Sequence, residues 1–211
     1  MCFKRNIKLF FYRMKDQKIY YMISVFYIFL MAGLAFFTVY HNTLYFPKDY
    51  IYKLLHVFTP FFSLFWILPV IGERTDEKWG EFFVGCKTDT VFQVIIHNIV
   101  FDLAMFLVCC VFSGVYGNML NIYIQMVITN VLIQCIGITA LYLSSSVFSA
   151  YGIPFLYSCL TIFSLIDPEN RIGLSYVAYE EVTLSGYIAA HWWKMILVFL
   201  MTFYSIFKSK I

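Results

Sequence analysis

Long apolar runs alternate with short polar stretches along this chain, and this pattern predicts its elements. Each run stays apolar for about 20 residues, the length that crosses a bilayer as an α-helix. Six such runs therefore predict an all-α polytopic membrane protein with six transmembrane helices. The runs cover residues 19–40, 51–72, 94–117, 123–143, 147–166 and 189–207. Three of the prolines, Pro60, Pro69 and Pro154, lie within runs, where each removes one intrahelical hydrogen bond and favours a kink.

Three segments outside the runs have characters of their own. Residues 1–18 carry apolar side chains at helical spacing among basic ones, which predicts an amphipathic helix in the membrane interface; a merely basic leader that sets topology is the alternative. Its apolar face would consist of Phe3, Ile7, Phe10, Phe11 and Met14. Residues 73–90 form a charged connection between the second and third runs. Residues 167–188 form the longest loop on the opposite side, and their apolar content favours short helices that dip toward the membrane.

Composition and charge agree with a membrane protein and exclude other classes. Of the 211 residues, 62% are hydrophobic and 13% are charged, so the whole chain reads as one transmembrane domain, 1–211, without a soluble enzyme domain. The net charge of +3 is too small to indicate nucleic-acid binding. Of the 15 Lys and Arg residues, four lie on one side of the predicted bundle, namely Lys48, Lys53, Arg171 and Lys194. The other eleven lie on the opposite side, which places both termini in the cytoplasm of a cell we expect to be bacterial.

The charged connection is the strongest indication of function. Residues 73–81 combine acids, bases and Trp79, and Phe82 and Phe83 follow directly. A short helix with an apolar ridge among charges of both signs fits a groove on a cytosolic partner. The alternative is an interfacial helix, over residues 73–93, that only connects two transmembrane helices.

The order and spacing of these residues resemble the permease subunit of an ATP-binding-cassette exporter of the type-two permease family. The matching residues are Glu73-Arg74, Trp79-Gly80-Glu81 and Phe82-Phe83. The number of spans, the N-terminal interfacial helix and the cytoplasmic termini also resemble that family, and the Trp resembles its small lantibiotic-immunity members. The chain departs from the pattern at 87–89, where the family's Pro is missing, and at His97 or Asn98, where a Lys is common.

The resemblance implies partners and a division of labour. Two permease subunits, identical or related, would pair in the membrane, and two copies of a separate ATPase subunit would bind ATP and Mg²⁺ beneath them. The cargo would be a bacteriocin-like peptide, a lipid or a hydrophobic drug. The residues implied in docking the ATPase are Glu73, Arg74, Glu77, Trp79, Glu81 and Phe82. The chain itself would have no catalytic, cofactor or metal site: residues 80–88 approach a phosphate-binding loop, but Cys86 separates the second Gly from the Lys.

Two further groups of residues raise alternatives. Asp102 is the one acidic residue well inside a run, and with His97 it forms a possible intramembrane polar site; a structural hydrogen bond between helices is the other interpretation. Glu180, Glu181 and His191 have the chemistry of an intramembrane metalloprotease, although the Arg of the prenyl-endopeptidase pattern is missing and the pair lies in a loop. A non-enzymatic membrane scaffold or accessory protein is the remaining alternative.

Overall fold

The computed structural model describes residues 7, 10–12, 14, 15, 17–40, 48–72, 87–144, 146–166 and 184–208. These residues form helices joined by turns, and no strand occurs among them. Six long helices follow one another along the chain: α1 (Lys18–Tyr40), α2 (Lys48–Gly72), α3 (Lys87–Tyr116), α4 (Leu120–Ser144), α5 (Val147–Ile166) and α6 (Leu184–Lys208). Each contains or coincides with most of one predicted apolar run, so the all-α prediction is confirmed.

Three of these helices are long and apolar enough to cross a membrane by themselves. They are Lys18–Tyr40, Gln93–Tyr116 and Leu120–Ser144, and a shorter apolar helical stretch covers Ile51–Ile67. The fold is therefore compatible with an integral membrane protein.

Two helices begin at least five residues earlier than the hydrophobicity predicts. α3 already starts at Lys87, so residues 87–93 continue this helix and are not part of a separate surface helix. α6 starts at Leu184, inside the segment predicted as a loop to residue 188. The physical reason is that backbone hydrogen bonds propagate a helix into polar sequence, whereas an apolar run marks only the part that is immersed in lipid.

The two described turns are short and are fixed by local hydrogen bonds. α3 ends at Gly117, whose φ of 77° is a left-handed conformation that glycine adopts without steric cost. Asn118 then accepts a hydrogen bond from the backbone N–H of Leu120 at 2.9 Å, which caps the start of α4. At the next turn the backbone N–H of Ser149 donates to the hydroxyl of Ser146 at 3.4 Å, which caps α5.

Side-chain contacts show that successive helices run in opposite directions. Tyr27 of α1 bonds to Thr59 of α2, and the earlier Ser24 donates to the carbonyl of the later Phe62, so these two helices are antiparallel. α2 and α4 are parallel, because Tyr52 bonds to Gln125 and, further along both helices, Ser63 bonds to Gln134. α4 and α6 are parallel for the same reason: Thr129 contacts Tyr187 and Thr139 contacts Thr202.

α2 and α4 lie at the centre of the bundle and pack closely on each other. α1 and α3 pack on α2 and on each other, while α5 and α6 pack on α4. α5 also contacts α2. The outer helices are therefore held by two central helices, and several polar side chains of α2 and α4 are buried between them.

The buried polar side chains of the bundle lie among a mostly apolar core, and its outer surface is apolar, unlike that of a soluble protein. The buried face of α1 carries Tyr21, Ser24, Tyr27 and Thr38 at helical spacing, and its exposed residues are mostly large and apolar. α6 shows the same division, with polar side chains buried and aromatic and aliphatic ones exposed. Such an apolar outer surface fits a hydrocarbon environment and not water.

The described part of the N-terminal segment packs against this bundle. Phe10 is buried, with its ring centroid 4.6 Å from that of His97 in α3, and Met14 packs against the core. Phe11, predicted to share that face, is 64% exposed. Neighbouring helical residues are separated by about 100° around the axis, so Phe10 and Phe11 cannot both point fully inward.

Candidate functional site

Five hydrogen bonds between side chains link the central helix α4 to three other helices. Gln125, Thr129, Asn130, Gln134 and Thr139 of α4 are all buried. Their partners are Tyr52 and Ser63 on α2, Asp102 on α3, and Tyr187 and Thr202 on α6. We call this row the polar seam. Hydrogen bonds between membrane helices are each worth about 0.6 kcal/mol, so together they fix how the helices are aligned.

One end of the seam holds a cluster of aromatic and histidine side chains. The hydroxyl of Tyr52 donates to Gln125 at 2.9 Å, and the hydroxyls of Thr129 and Tyr187 are 2.6 Å apart. His56 stacks on Tyr52 with a centroid distance of 4.1 Å. We call these residues, together with His191, the histidine cluster.

The two imidazoles of this cluster are its unusual feature. Tyr187 lies next to both, with centroid distances of 6.2 Å to His56 and 4.8 Å to His191. His56 is 1% exposed and His191 is 2% exposed, yet none of their ring nitrogens has a hydrogen-bond partner among the described residues. The carbonyl of Ile122 lies near the His56 ring without the geometry of a hydrogen bond.

An unpartnered polar group inside a protein costs about 1–3 kcal/mol, and ionisable groups inside membrane bundles usually mark functional positions. The histidine cluster is therefore the best candidate for a site in this bundle. Its imidazoles, hydroxyls and amide provide donors and acceptors to a polar molecule or to water.

Asp102 has a structural partner on the next helix. Its carboxylate accepts a hydrogen bond of 3.0 Å from the side-chain amide of Asn130, and its backbone carbonyl accepts one of 3.3 Å from Tyr123. The hydrogen bond between helices, one of the two interpretations of Asp102, is thus present in the fold. It ties α3 to α4.

His97 occupies a different part of the interior. Its Nε2 is 2.8 Å from the hydroxyl of Tyr21, and its Nδ1 is 2.6 Å from the carbonyl of Gln93 one turn earlier. Trp66 of α2 lies beside the same ring, at a centroid distance of 6.5 Å. His97 therefore links α1 to α3, while Asp102 links α3 to α4, so the two residues do not form a common site through these bonds.

The predicted ATPase-docking residues, Glu73, Arg74, Glu77, Trp79, Glu81 and Phe82, lie outside the described residues. Glu180 and Glu181 of the metalloprotease alternative do so as well. Within the described part of the chain no group of three or more His, Cys, Asp or Glu side chains could hold a metal ion. The four described cysteines, Cys109, Cys110, Cys135 and Cys159, are free thiols.

The fold and these contacts define a class of protein: a bundle of apolar helices, compatible with an integral membrane protein, whose polar groups are turned inward. Comparison of the chain with protein-family models, with curated proteins and with solved structures finds no match. The function is therefore argued from the chain itself.

Sequence reasoning missed the histidine cluster. His56 and His191 are far apart in the chain, and neither has a His, Asp or Glu three or four positions away. One signal was present in α6, where Tyr187, His191, Lys194 and Thr202 recur on one helical face within an apolar run. A polar stripe of this kind predicts a face turned to the bundle interior.

Proposed function

We propose that this chain is the transmembrane subunit of an ATP-binding-cassette exporter, with six membrane spans and both termini in the cytoplasm of a bacterial cell. Its cargo is hydrophobic or amphipathic, and a separate ATPase subunit hydrolyses the ATP. The observation that carries the proposal is the charged connection of residues 73–81 between two apolar helices. A membrane chain with so few charges gains little from such a connection unless it meets a cytosolic partner.

The alternating helix directions support six spans. α1, α3 and α4 are apolar enough to cross a membrane alone, and α2 and α6 run parallel to α4 along its length. α6 carries one charged residue within its apolar run, Lys194, but this side chain is buried and the exposed face of α6 is apolar. α4 ends at Ser144, α5 begins at Val147, and α5 packs on α4.

The position of the N-terminal segment supports a common cytosolic surface. Phe10 packs on His97, about 15 Å along α3 from its first residue at Lys87. The connection 73–86 ends where α3 begins, so the N-terminal segment and the connection belong to the same end of the bundle. In the proposed complex both contact the ATPase, through Glu73, Arg74, Glu77, Trp79, Glu81 and Phe82.

The proposed mechanism needs no covalent chemistry in this chain. Two copies, or one copy and a related subunit, form the route, and closure of two ATP-bound ATPase subunits moves the charged connection. The attached helices α2 and α3 then tilt, and the populations of inward-open and outward-open states shift. Asp102 and His97 hold α3 to its neighbours during this movement.

The cargo is proposed on charge and shape. Asp102 is the one acidic residue within an apolar run of the described helices, and its carboxylate is bonded to Asn130. An interior with aromatic rings, hydroxyls and few charges suits an amphipathic molecule better than an ion, and a bacteriocin-like peptide is the first choice. Deletion of the gene should then sensitise the producing cell to one peptide; equal sensitisation to unrelated membrane toxins contradicts this choice.

The proposal is tested by co-purification of the tagged full chain in mild detergent after crosslinking in cells. We expect an ATPase subunit in about equimolar amount, identified by mass spectrometry. Glu73→Lys with Glu77→Lys should remove the ATPase and leave membrane insertion intact. Glu180→Lys with Glu181→Lys, the same charge change in the loop predicted on the opposite side, is the matched control and should retain it.

Four results would overturn the proposal or one part of it. If the wild-type chain yields no ATPase after crosslinking, it is not the subunit of an exporter. If the Glu73→Lys, Glu77→Lys variant still binds the ATPase subunit normally, these residues do not form the docking surface. If the chain cleaves peptides and a chelator abolishes the cleavage, it is a metalloprotease. If its partners function independently of ATP, it is a scaffold.

A further inference from the structure

The N-terminal segment has one face on the bundle and another that is exposed. Its described residues before Gln17 are helical. Phe10 is buried and Met14, one turn later, is half-buried against the core. The residues between and after these two point away from the bundle: Phe11 and Tyr12 are each 64% exposed, and Lys15 is exposed as well. Together with Lys18, the exposed first residue of α1, we call these side chains the exposed N-terminal face.

The contacts of Phe10 fix the depth of this face in the membrane. Its ring lies 4.6 Å from that of His97, which in turn bonds to Tyr21. Tyr21 is three residues after the start of α1, or about 5 Å along the helix axis. The ring of Phe11 is 5.4 Å from that of Phe10, so it lies at a similar depth. This is the boundary between headgroups and acyl chains, where interfacial helices bury their aromatic side chains, and Lys18 lies where the apolar run of α1 begins.

The positive charge of the chain is concentrated in the same segment. Residues 1–18 contain six Lys or Arg residues and one acid, Asp16, which gives them a net charge of +5, against +3 for the whole chain. Lysines close to a membrane surface each add to the attraction of acidic headgroups, and aromatic residues prefer the membrane boundary. Basic and aromatic side chains therefore stand at the depths of the headgroups and of the upper acyl chains.

We propose that the exposed N-terminal face binds acidic phospholipids of the leaflet that surrounds it. Lys15 and Lys18 contact the headgroups, and Phe11 and Tyr12 lie beside the upper part of the acyl chains. The same segment is joined to α3 through Phe10, so the bound lipids fasten this end of the bundle to the membrane surface. The proposal rests on the fold and the charges of this chain and not on the exporter proposal.

A cytosolic protein is a poorer occupant of this face because of its depth. Phe11 lies level with Tyr21, inside the apolar run of α1, so a protein in water would have to reach it through the headgroup layer. An ATPase subunit beneath the bundle would contact the segment from the cytosolic side. Lipid and ATPase therefore fit the segment at the same time.

The test is photo-crosslinking in lipid nanodiscs that hold the full chain. The photoreactive residue p-benzoylphenylalanine replaces Phe11 and inserts into C–H bonds of neighbouring molecules. The discs contain equal amounts of phosphatidylglycerol and phosphatidylcholine with the same acyl chains, and mass spectrometry identifies the adducts. The control position is Phe26, which is 70% exposed on α1 but lies about 12 Å along the helix from Lys18.

At Phe11 we expect at least about five-fold more adducts with phosphatidylglycerol, the preference that one lysine near acidic headgroups provides. At Phe26 the two lipids should react about equally, because no lysine of the segment reaches that depth. High salt should weaken the preference at Phe11, since it screens exposed charges.

Variants then assign the preference to the two lysines. Lys15→Gln with Lys18→Gln should make the two kinds of adduct about equal at Phe11, and Lys15→Arg with Lys18→Arg should keep the preference. Lys208→Gln with Lys210→Gln removes the same charge on the same predicted side of the membrane and is the matched control. It should leave the preference unchanged.

Three results would overturn the proposal. Equal adducts of the two lipids at Phe11 in the otherwise wild-type chain would show that the face does not select acidic lipids. A preference that survives Lys15→Gln with Lys18→Gln would show that these lysines do not hold the headgroups. Adducts with protein in place of lipid would identify a second copy of the chain in nanodiscs, or an ATPase subunit in cells, as the occupant. Failure of lipid binding leaves the ATPase co-purification unaffected, so the two proposals fail separately.

Discussion

Gly137 of α4 is the position where one added methyl group should disturb the bundle most clearly. A Cβ atom there would lie 2.9 Å from Cδ2 of Leu64 in α2, and 3.1 Å from the carbonyl oxygen of Ala150 in α5. That carbonyl is the one that Pro154 leaves without its helical N–H donor, so α5 presents backbone to α4 at this point. Cγ of Pro154 itself would lie 3.4 Å away.

The size of the destabilisation depends on which of these neighbouring atoms can move. The end of the Leu64 side chain can rotate, but the Ala150 oxygen is backbone, and α5 must shift by a few tenths of an ångström to reach an ordinary separation. Overpacking of this kind costs about 1–3 kcal/mol, and the better helix propensity of Ala returns up to about 1 kcal/mol. Gly137→Ala should therefore destabilise by about 1 kcal/mol. Gly137→Val, which adds two more methyl groups at the same backbone contact, should cost about 3 kcal/mol.

The assay is thermal unfolding of the purified protein in detergent, followed by loss of the monodisperse peak on size exclusion. One kcal/mol corresponds to about 2–4 °C in Tm for a chain of this size. Gly114→Ala is the matched control, because a Cβ atom at this other helical glycine meets nothing within 4 Å. It should leave Tm unchanged or raise it slightly. Equal Tm values for Gly137→Val and Gly114→Ala would refute the close approach of α4, α2 and α5.

Three further predictions concern buried polar groups. Asn130→Leu removes the donor to the Asp102 carboxylate and should lower the free energy of unfolding by about 2 kcal/mol in the same thermal assay. The further change Asp102→Asn should recover part of this stability. A double mutant no more stable than the single one argues against coupling between the two residues. His191→Leu should leave Tm unchanged or raise it, because it removes an imidazole without hydrogen bonds, and should impair export by the reconstituted complex; a large loss of stability would show that His191 is structural. Tyr21→Phe deletes the 2.8 Å bond to His97 and should lower stability by about 1 kcal/mol, an effect that should vanish in a His97→Leu background.

The helices were predictable because lipid immersion imposes a local requirement on sequence. A helix that crosses a membrane needs about 20 apolar residues, and this signal is readable without any tertiary contact. α5 has the predicted bounds, 147–166, and α1 differs by one residue at its start. α3 and α6 start earlier than predicted, because polar residues such as Lys87 extend a helix beyond the apolar run.

The candidate site was less predictable because its members come from different helices. Asp102 was found by its charge within an apolar run, but its partner Asn130 depends on how α3 turns back onto α4. His56 and His191 meet around Tyr187 only because α2 and α6 both pack near the start of α4. Periodicity within one helix carries no information about which face of another helix it meets.

By itself the sequence determined the helical class, the number and approximate positions of the helices, and the charged connection on which the proposed function rests. The tertiary structure decided which side chains meet, in the polar seam along α4 and in the histidine cluster. The reason is that hydrophobicity acts on each segment separately, whereas hydrogen bonds and close contacts between helices depend on their rotation and alignment. Those are fixed by the packing of small and polar residues, as at Gly137, where the bundle closes around a position without a side chain.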